Sequence, residues 1–416
     1  MNKVLIVEDS KVFLNIIQKQ ITLELGFECV SAGNLKEAGH VLETRADQFL
    51  LAVLDLNLPD APKGEIVDYV VSKGIPVIVV TALINDDIRD QIMSQDVFDY
   101  IIKEGPHSMV QLTDTIRRFV RNKQITILVV DDSGVGRKII RKSLEKQFFS
   151  VIEAVNGQEA LAKLKINPDI RLVITDYHMP VMDGFQLTGE IRKRFPMGEI
   201  GIIGISAVGN PLLSAQFLKT GANDFVNKPY HEEEFQWRIH QNIEILESMR
   251  IIREAAIKDY LTGLHNRRYF FNAAEKLFQN AKRKNLRILI GMIDIDNFKA
   301  VNDSYGHDAG DLVIQHIAQM LQNGFRESDI VARYGGEEFV VLGVNMSPEK
   351  HFIHFEDLRK AVETTPIKTR FGEIKVTVSI GITTRITASL DEMVNESDNQ
   401  LYNAKKAGRN KVVADS

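Results

Sequence analysis

Carboxylate, hydroxyl and lysine side chains recur in a fixed order at the ends of apolar segments in the N-terminal part of the chain. There are two such sets. The first comprises Glu8, Asp9, Asp55, Thr81 and Lys103, and the second comprises Asp131, Asp132, Asp176, Ser206 and Lys228. Carboxylates held close together repel each other unless a cation joins them, so each set predicts a Mg²⁺ site. An aspartate beside Mg²⁺ can act as a nucleophile toward a phosphoryl group, and Asp55 and Asp176 are the candidates.

A third acidic group lies farther along the chain. Asp294 and Asp296 lie at the end of an apolar strand candidate at 288–293, and alternation would put both on one face if the strand continues. Downstream, Gly335-Gly336 permits a tight turn, and Glu337-Glu338 follows it directly. A carboxylate from each of these two segments is what a phosphate-bound Mg²⁺ requires.

An internal repeat indicates which elements position the first two sets. The segment Lys3-Val-Leu-Ile-Val-Glu-Asp-Ser10 returns as Thr126-Ile-Leu-Val-Val-Asp-Asp-Ser133. In both copies short apolar runs alternate with amphipathic helical segments, which predicts a parallel sheet with helices on both faces. The carboxyl ends of parallel strands share one edge, so each set is expected to converge there.

The C-terminal part of the chain has a different pattern. No Pro or Gly occurs between about residues 233 and 258, and Ile239, Ile243, Leu246 and Met249 recur at helical spacing, which predicts a helical stalk. From residue 259 onward, strand candidates at 288–293, 339–344 and 375–382 are mixed with helices. This mixture is typical of an α+β domain.

Composition limits the class of protein. A chain of 416 residues is too long for one hydrophobic core, and three domains are the working expectation. With 44% hydrophobic and 26% charged residues, a net charge of -5 and no basic run, it is an ordinary folded protein without the electrostatic pattern of a nucleic-acid binder. We found no secretory signal or membrane-spanning window, so we expect a cytoplasmic protein with no membrane partner. The single cysteine, Cys29, excludes an intramolecular disulfide.

The two N-terminal sets resemble those of the receiver domains of two-component response regulators, over residues 1–121 and 124–245. The second copy matches closely, with Asp176-Tyr-His-Met-Pro-Val-Met-Asp-Gly184 and Asn227-Lys228-Pro229. The first departs from the pattern after Asp55 and has Glu104 where the proline is expected. The resemblance implies flavodoxin-like, doubly wound α/β domains that a sensor histidine kinase or phosphotransfer protein phosphorylates.

The receiver resemblance also implies a role for each member of the two sets. Asp55 and Asp176 would be phosphoacceptors, and Asp176 is the more orthodox of the two. Mg²⁺ would bind to Glu8, Asp9 and Asp55 in the first domain and to Asp131, Asp132 and Asp176 in the second. The switch residues would be Thr81, Lys103, Ser206 and Lys228.

Residues 259–416, which follow a helical linker at 246–258, resemble the GGDEF family of diguanylate cyclases. Three motifs carry the resemblance: Asp259-Tyr-Leu-Thr-Gly-Leu-His-Asn-Arg-Arg268, Asp294-Ile-Asp-Asn-Phe-Lys299 and Gly335-Gly-Glu-Glu-Phe339. The family implies an α+β, nucleotide-cyclase-like fold and the condensation of two GTP molecules into cyclic di-GMP with release of pyrophosphate. Because each domain would hold one GTP, the active form is expected to be a homodimer.

The GGDEF resemblance assigns roles residue by residue. The Mg²⁺ ligands would be Asp294, Glu337 and the carbonyl of Ile295, and Glu338 would be a further catalytic-site acid. Lys299, Lys405 and Arg409 would hold the triphosphate. Asn302 and Asp311 would bind the guanine edge, which suits an amide and a carboxylate, and the substrate set is completed by Phe298 and by His307 in a positioning role.

Arg326-Glu-Ser-Asp329 matches the Arg-x-x-Asp inhibitory site at which cyclic di-GMP binds to members of this family. Three alternatives stay open at this stage. The chain could be a catalytically silent cyclic di-GMP sensor, a phosphorelay scaffold, or a nucleotidyl cyclase with another product. Retention of Glu337 and Glu338 disfavours the first two, and Asn302 with Asp311 favours guanine.

Overall fold

The computed structural model describes residues 3–45, 48–82, 95, 97–105, 107–207, 211–284, 286–345, 348–370 and 372–415. The chain divides into two compact units, Met1–Ser248 and Met249–Ser416. The first unit contains two domains with their own sheets, and the second contains one domain with a mixed sheet.

The first domain is built on a five-stranded parallel sheet in the order β2-β1-β3-β4-β5. Its central strands are apolar on both faces because helices cover both sides, and Val4, Leu5, Ile6 and Val7 are each 0% exposed. The elements are β1 (Lys3–Val7), α1 (Lys11–Leu25), β2 (Glu28–Ala32), α2 (Leu35–Arg45), β3 (Phe49–Leu54), α3 (Glu65–Ser72), β4 (Val77–Thr81), β5 (Asp99–Ile102) and α4 (His107–Asn122).

The second domain repeats the first, with a parallel sheet in the order β7-β6-β8-β9-β10. The elements are β6 (Thr126–Val130), α5 (Gly134–Lys146), β7 (Ser150–Ala154), α6 (Gly157–Ile166), β8 (Ile170–Asp176), α7 (Gly184–Arg192), β9 (Gly201–Ala207), α8 (Pro211–Thr220), β10 (Asp224–Lys228) and α9 (Glu232–Ile257). The doubly wound fold predicted from the internal repeat is confirmed in both copies.

Helix α9 is both the last helix of the second domain and the predicted stalk. Phe235, Ile239, Ile243 and Leu246 lie buried along its inner face, whereas Met249, the last residue of the predicted apolar series, is 43% exposed. Glu232, Glu233 and Glu234 occupy its first turn, where negative charge is favourable beside the positive end of the helix dipole. The helix continues without interruption to Ile257.

The third domain has a six-stranded mixed sheet in the order β11-β13-β14-β12-β17-β18, and a two-stranded sheet formed by β15 and β16. The elements are β11 (His265–Asn266), α10 (Arg267–Lys284), β12 (Ile288–Ile295), α11 (Phe298–Tyr305), α12 (His307–Gly324), β13 (Ile330–Gly335), β14 (Glu338–Val344), α13 (Pro348–Thr364), β15 (Ile367–Thr369), β16 (Gly372–Ile374), β17 (Val378–Thr383), α14 (Leu390–Lys406) and β18 (Val412–Ala414).

Strand β12 is the centre of this domain because it pairs antiparallel with both β14 and β17. All its residues are buried, and one hydrophobic core lies on each face of the sheet. The sequence prediction for β17 began too early, at residue 375. The strand begins at Val378 because its first partner across the ladder is Ile295, where β12 ends.

None of the described helices combines the length and the apolar character needed to span a bilayer.

Candidate functional site

The polar residues of the first domain converge at the carboxyl edge of its sheet, as predicted. Carboxylate oxygens of Glu8, Asp9 and Asp55 all lie within 4.8 Å of one another. Glu8 and Asp55 are buried, whereas Asp9 is exposed. Three oxygen ligands at this spacing are suited to a hard divalent cation.

Lys103 neutralises part of this negative charge. Its Nζ donates to Glu8 Oε2 at 2.7 Å and to Asp55 Oδ2 at 2.5 Å. Burial alone would lower the pKa of Lys103, but the hydrogen bonds to Asp55 and Glu8 outweigh it and raise that pKa. Burial also raises the pKa of Glu8. The lysine therefore stays charged beside Asp55, where it can balance a phosphoryl oxygen.

The second domain repeats this contact with a more open geometry. Lys228 Nζ donates to Asp131 Oδ2 at 3.0 Å and to Asp176 Oδ1 at 2.7 Å. The Lys228 side chain is 33% exposed, compared with 7% for Lys103, and Asp176 is 15% exposed, compared with 8% for Asp55. The Asp176 carboxylate is thus the more accessible of the two aspartates.

The predicted set of the second domain does not form the same grouping. Across the described residues, the carboxylate oxygens found within 4.8 Å of one another are those of Glu8, Asp9 and Asp55. The predicted three-carboxylate grouping therefore appears in the first domain, while the second brings Asp131 and Asp176 together through Lys228.

The predicted switch hydroxyls lie at the same sheet edges. Thr81 ends β4 and is 1% exposed, and Ser206, in β9, is 4% exposed. Each is on the strand next to the one that leads to the candidate phosphoacceptor. Both hydroxyls are therefore placed where a parallel sheet brings its ligand-binding groups together.

In the third domain, Asp294 and Glu338 lie directly opposite each other on neighbouring strands, β12 and β14. Ile295 N donates to the carbonyl of Glu337 at 3.4 Å, which brings the Gly335-Gly336 turn against the end of β12. The sequence motif thus forms the hairpin that was predicted, and Glu338 lies opposite Asp294 across the two strands. This confirms the expectation that the two acidic segments come together.

The pKa values of these acids reflect their crowding. Burial raises the pKa of Asp294, and the nearby charges of Glu337 and Asp296 add to this effect. Burial also raises the pKa of Glu338, with Asp294 as the main charged contributor. Lys405 Nζ lies 2.8 Å from Asp294 Oδ2 and partly compensates. The carboxylates of Asp294 and Glu338 are oxygen donors of the kind that a hard divalent cation binds.

Asp296 does not share this site. Strand β12 ends at Ile295, so the alternation that would put Asp296 on the face of Asp294 is not continued. Its carboxylate accepts hydrogen bonds from Thr377 Oγ1 and Ser379 Oγ, both at 2.7 Å, and from Asn410 N at 3.0 Å. The carboxylate of Asp296 therefore has a structural role, because it is occupied by hydrogen bonds from its own domain.

The sequence analysis missed a set of hydrogen bonds from Arg333 that fixes the hairpin. Arg333 donates from Nε and Nη2 to the carbonyl of Gly336 at 2.9 and 2.8 Å, and from Nη1 to both carboxylate oxygens of Asp259. Burial would raise the pKa of Asp259, but hydrogen bonds from Thr262 and Arg333 outweigh it and lower that pKa. Asp259 and Thr262 belong to a motif that had served only as a family signature, and this contact gives it a physical role.

The predicted guanine-binding residues lie on two consecutive helices. Asn302 is half-buried on α11, and Asp311 is exposed on α12. Gly310 leaves room for Asn302, because a Cβ there would come within 2.0 Å of Asn302 Oδ1. His307 and Lys299 are exposed nearby in sequence, whereas Phe298 is 9% exposed and packs in the core beneath them.

The remaining predicted residues are distributed over two turns. Arg409 is exposed and follows α14, the helix that carries Lys405. Asp329 is buried, and its carboxylate accepts from Arg326 N at 3.1 Å and from Val344 N at 3.3 Å. Arg326 itself is exposed. Asp329 therefore shapes the turn that presents Arg326.

Comparison with known families identifies the three domains. The sequence model of the response regulator receiver domain matches residues 4–117 and 127–240, hereafter receiver 1 and receiver 2. The model of the diguanylate cyclase GGDEF domain matches residues 256–411. The chain belongs to the response-regulator diguanylate cyclases. The predicted family, fold class and enzyme class are confirmed.

Individual relatives agree with this assignment. Response regulator PleD of Caulobacter vibrioides is 25% identical and aligns over 99% of this chain and 98% of its own length. Diguanylate cyclase A of Treponema denticola is 37% identical over 43% of this chain and 51% of its own length. A solved structure of a two-component response regulator/GGDEF domain protein is 40% identical, covers 59% of this chain and all of its own, and has a TM-score of 0.54.

Proposed function

We propose that this diguanylate cyclase condenses two GTP molecules with Mg²⁺ as its metal, and that phosphorylation of its receivers promotes dimerisation. The observation that carries the proposal is the arrangement of Asp294, Glu338 and Lys405 against the Gly-Gly-Glu-Glu hairpin. Asp294 and Glu337 would hold Mg²⁺, together with the carbonyl of Ile295. When bound, Mg²⁺ neutralises charge on the phosphate oxygens and on the pyrophosphate that leaves.

The chain's own residues supply the rest of the chemistry. The 3′-oxygen of one GTP forms a bond to the α-phosphorus of the other, the bond to pyrophosphate breaks, and the hydroxyl proton must be accepted. Glu338 suits that step because its raised pKa makes it a stronger base than an ordinary carboxylate. Lys405, Arg409 and Lys299 would hold the triphosphate, since cations match phosphate oxygens. Asn302 and Asp311 would select guanine.

Regulation follows from the need for two half-sites. A GGDEF domain that holds one GTP cannot complete the ring alone, so the rate depends on the effective concentration of a second domain. Phosphorylation of a receiver by a sensor histidine kinase or phosphotransfer protein would raise that concentration by promoting the homodimer. Cyclic di-GMP bound at Arg326 and Asp329 would oppose it.

We infer that Asp176 is the main phosphoacceptor. Its carboxylate is more exposed than that of Asp55, and its partner Lys228 is more exposed than Lys103. Entry of a phosphodonor should therefore be easier in receiver 2.

A pair of matched variants tests this regulation. Asp55→Asn and Asp176→Asn are each treated with beryllofluoride and Mg²⁺, and both the initial rate of cyclic di-GMP formation and the mass of the complex are measured. We expect Asp176→Asn to lose activation and dimerisation together while Asp55→Asn keeps both. The reverse pattern would assign the role to Asp55, and activation without a change in mass would contradict control by dimerisation.

A further inference from the structure

The turn that carries Arg409 has a backbone conformation that most residues avoid. Gly408, Arg409 and Asn410 all have positive φ, at 108°, 63° and 48°. Glycine adopts this region freely and asparagine tolerates it, but an arginine there is uncommon. Such backbone strain persists only where the surroundings hold it, and it occurs preferentially at functional sites.

The hydrogen bonds of Asn410 fix this turn to the rest of the domain. Its backbone N–H donates to Asp296 Oδ2 at 3.0 Å. Its side-chain Oδ1 accepts from Arg359 Nη1 at 2.5 Å, and its Nδ2 donates to Glu363 Oε1 at 2.8 Å. Both ends of the carboxamide and the backbone are therefore fixed at the same time.

The partners of Asn410 are themselves fixed. Arg359 is 7% exposed and donates to both carboxylate oxygens of Glu356 and to Glu363 Oε2. Its hydrogen bonds to Glu356 and then to Glu363 raise the pKa of Arg359, and Arg359 lowers the pKa of both glutamates, so the group stays fully charged.

Asp296 connects this group to the acidic site. It is 5% exposed, is held by Thr377 and Ser379, and lies two positions after Asp294 in the chain. The network therefore joins the end of β12, which carries the proposed metal ligand, to the turn that carries Arg409. One hydrogen-bonded network therefore joins Asp294, the proposed metal ligand, to Arg409, the proposed phosphate-binding residue.

We propose that Asp296, Arg359 and Asn410 are positioning residues that hold Arg409 in its left-handed turn, so that its guanidinium meets the triphosphate of GTP. This inference rests on the proposed function, because it assigns Arg409 to the triphosphate. The network touches no substrate itself and acts only through Arg409.

A double-mutant cycle tests whether Asn410 acts through Arg409. Dissociation constants are measured on the full chain for 3′-deoxy-GTP, which lacks the attacking hydroxyl, and for GMP, which lacks the two outer phosphates. Arg409→Ala, Asn410→Ala and the double variant are compared with the wild type. Asn403→Ala is the control, because Asn403 is exposed on α14 and outside the network.

We expect Asn410→Ala to weaken 3′-deoxy-GTP binding about tenfold, which corresponds to the loss of one good phosphate contact of about 1.4 kcal/mol. GMP binding should change little, and adding Asn410→Ala to Arg409→Ala should cost nothing further. If Asn410→Ala does not fold, Asn410→Gly replaces it, since glycine keeps the positive φ and removes both side-chain bonds.

Three results would overturn the inference, with different consequences for the proposed function. If the two substitutions are additive, or if GMP and 3′-deoxy-GTP binding weaken equally, Asn410 does not act through Arg409, and the proposed function is unaffected. If the wild type fails to bind 3′-deoxy-GTP at all, both the inference and the proposed function are wrong.

Discussion

Gly310 offers a selective way to disturb the guanine-binding site. A Cβ at this position would lie 2.0 Å from Asn302 Oδ1 and 3.0 Å from Asn302 Cγ and Phe298 Cζ. Real Cβ atoms do not approach other atoms so closely, so in Gly310→Ala the Asn302 side chain must move away. The glycine is required for space and not for its backbone conformation, since its φ lies outside the left-handed region that favours glycine.

The expected loss can be worked out from the hydrogen bonds that Asn302 would make. Two bonds to the guanine edge, at about 1 kcal/mol each, amount to about 2 kcal/mol, or roughly a 30-fold rise in the KM for GTP. The turnover number should change less, because Asp294, Glu337 and Glu338 are untouched. The preference for GTP over ATP should fall by a similar factor.

The assay compares initial rates of product formation over a range of GTP concentrations, with a melting curve for each variant. Gly324→Ala is the matched control, because Gly324 lies on the same helix and a Cβ there meets nothing within 4 Å. An unchanged KM in a folded Gly310→Ala protein would refute the assignment of Asn302 to the base.

Two further predictions concern product inhibition and pH. Arg326→Ala should raise the cyclic di-GMP concentration for half-inhibition at least tenfold, because a charge-assisted hydrogen bond contributes roughly 1.5–3 kcal/mol. An unshifted inhibition curve would remove Arg326 from the product site. His240 is 8% exposed, and burial, with the charges of Arg118 and Arg121, lowers its pKa from 6.5 to about 3. Below about pH 6.5 the unfolded chain therefore binds a proton at His240 that the folded protein does not bind. The neutral His240 contributes fully to the free energy of unfolding above that pH, and its contribution is lost as the pH falls toward 3. At pH 5 the free energy of unfolding should be about 2 kcal/mol lower than at pH 7. His240→Gln should flatten that dependence in denaturant titrations, and equal slopes for both proteins would contradict it.

The sequence was most informative where chemistry coincides with the end of a strand. Asp55 could be placed beside Lys103, and Asp176 beside Lys228, because the strands of each parallel sheet share one carboxyl edge. The Gly335-Gly336 turn likewise indicated a hairpin, because glycine permits the tight reversal. Periodicity and turn residues are local signals, and the local geometry follows from them.

Other contacts depend on pairings between distant segments, which a single sequence does not encode locally. The role of Asp296 was not predicted because it depends on where the pairing of β12 with β17 stops, at Ile295 and Val378. Arg333 meets Asp259 across 74 residues, and no spacing rule connects them. Asn410 likewise meets Arg359 across 51 residues.

The central claim is that the acids at the end of β12 and in the Gly-Gly-Glu-Glu hairpin convert GTP into cyclic di-GMP. The most direct measurement is chromatographic identification of the nucleotide formed from GTP and Mg²⁺ by the beryllofluoride-treated protein, by Glu337→Gln, and by Glu275→Gln as a control on the exposed face of α10. We predict cyclic di-GMP from the wild type and Glu275→Gln, and a loss of at least a hundredfold in Glu337→Gln with an unchanged melting curve. Equal product from Glu337→Gln and the wild type would contradict the metal-site assignment, and no cyclic di-GMP from the wild type would contradict the account as a whole.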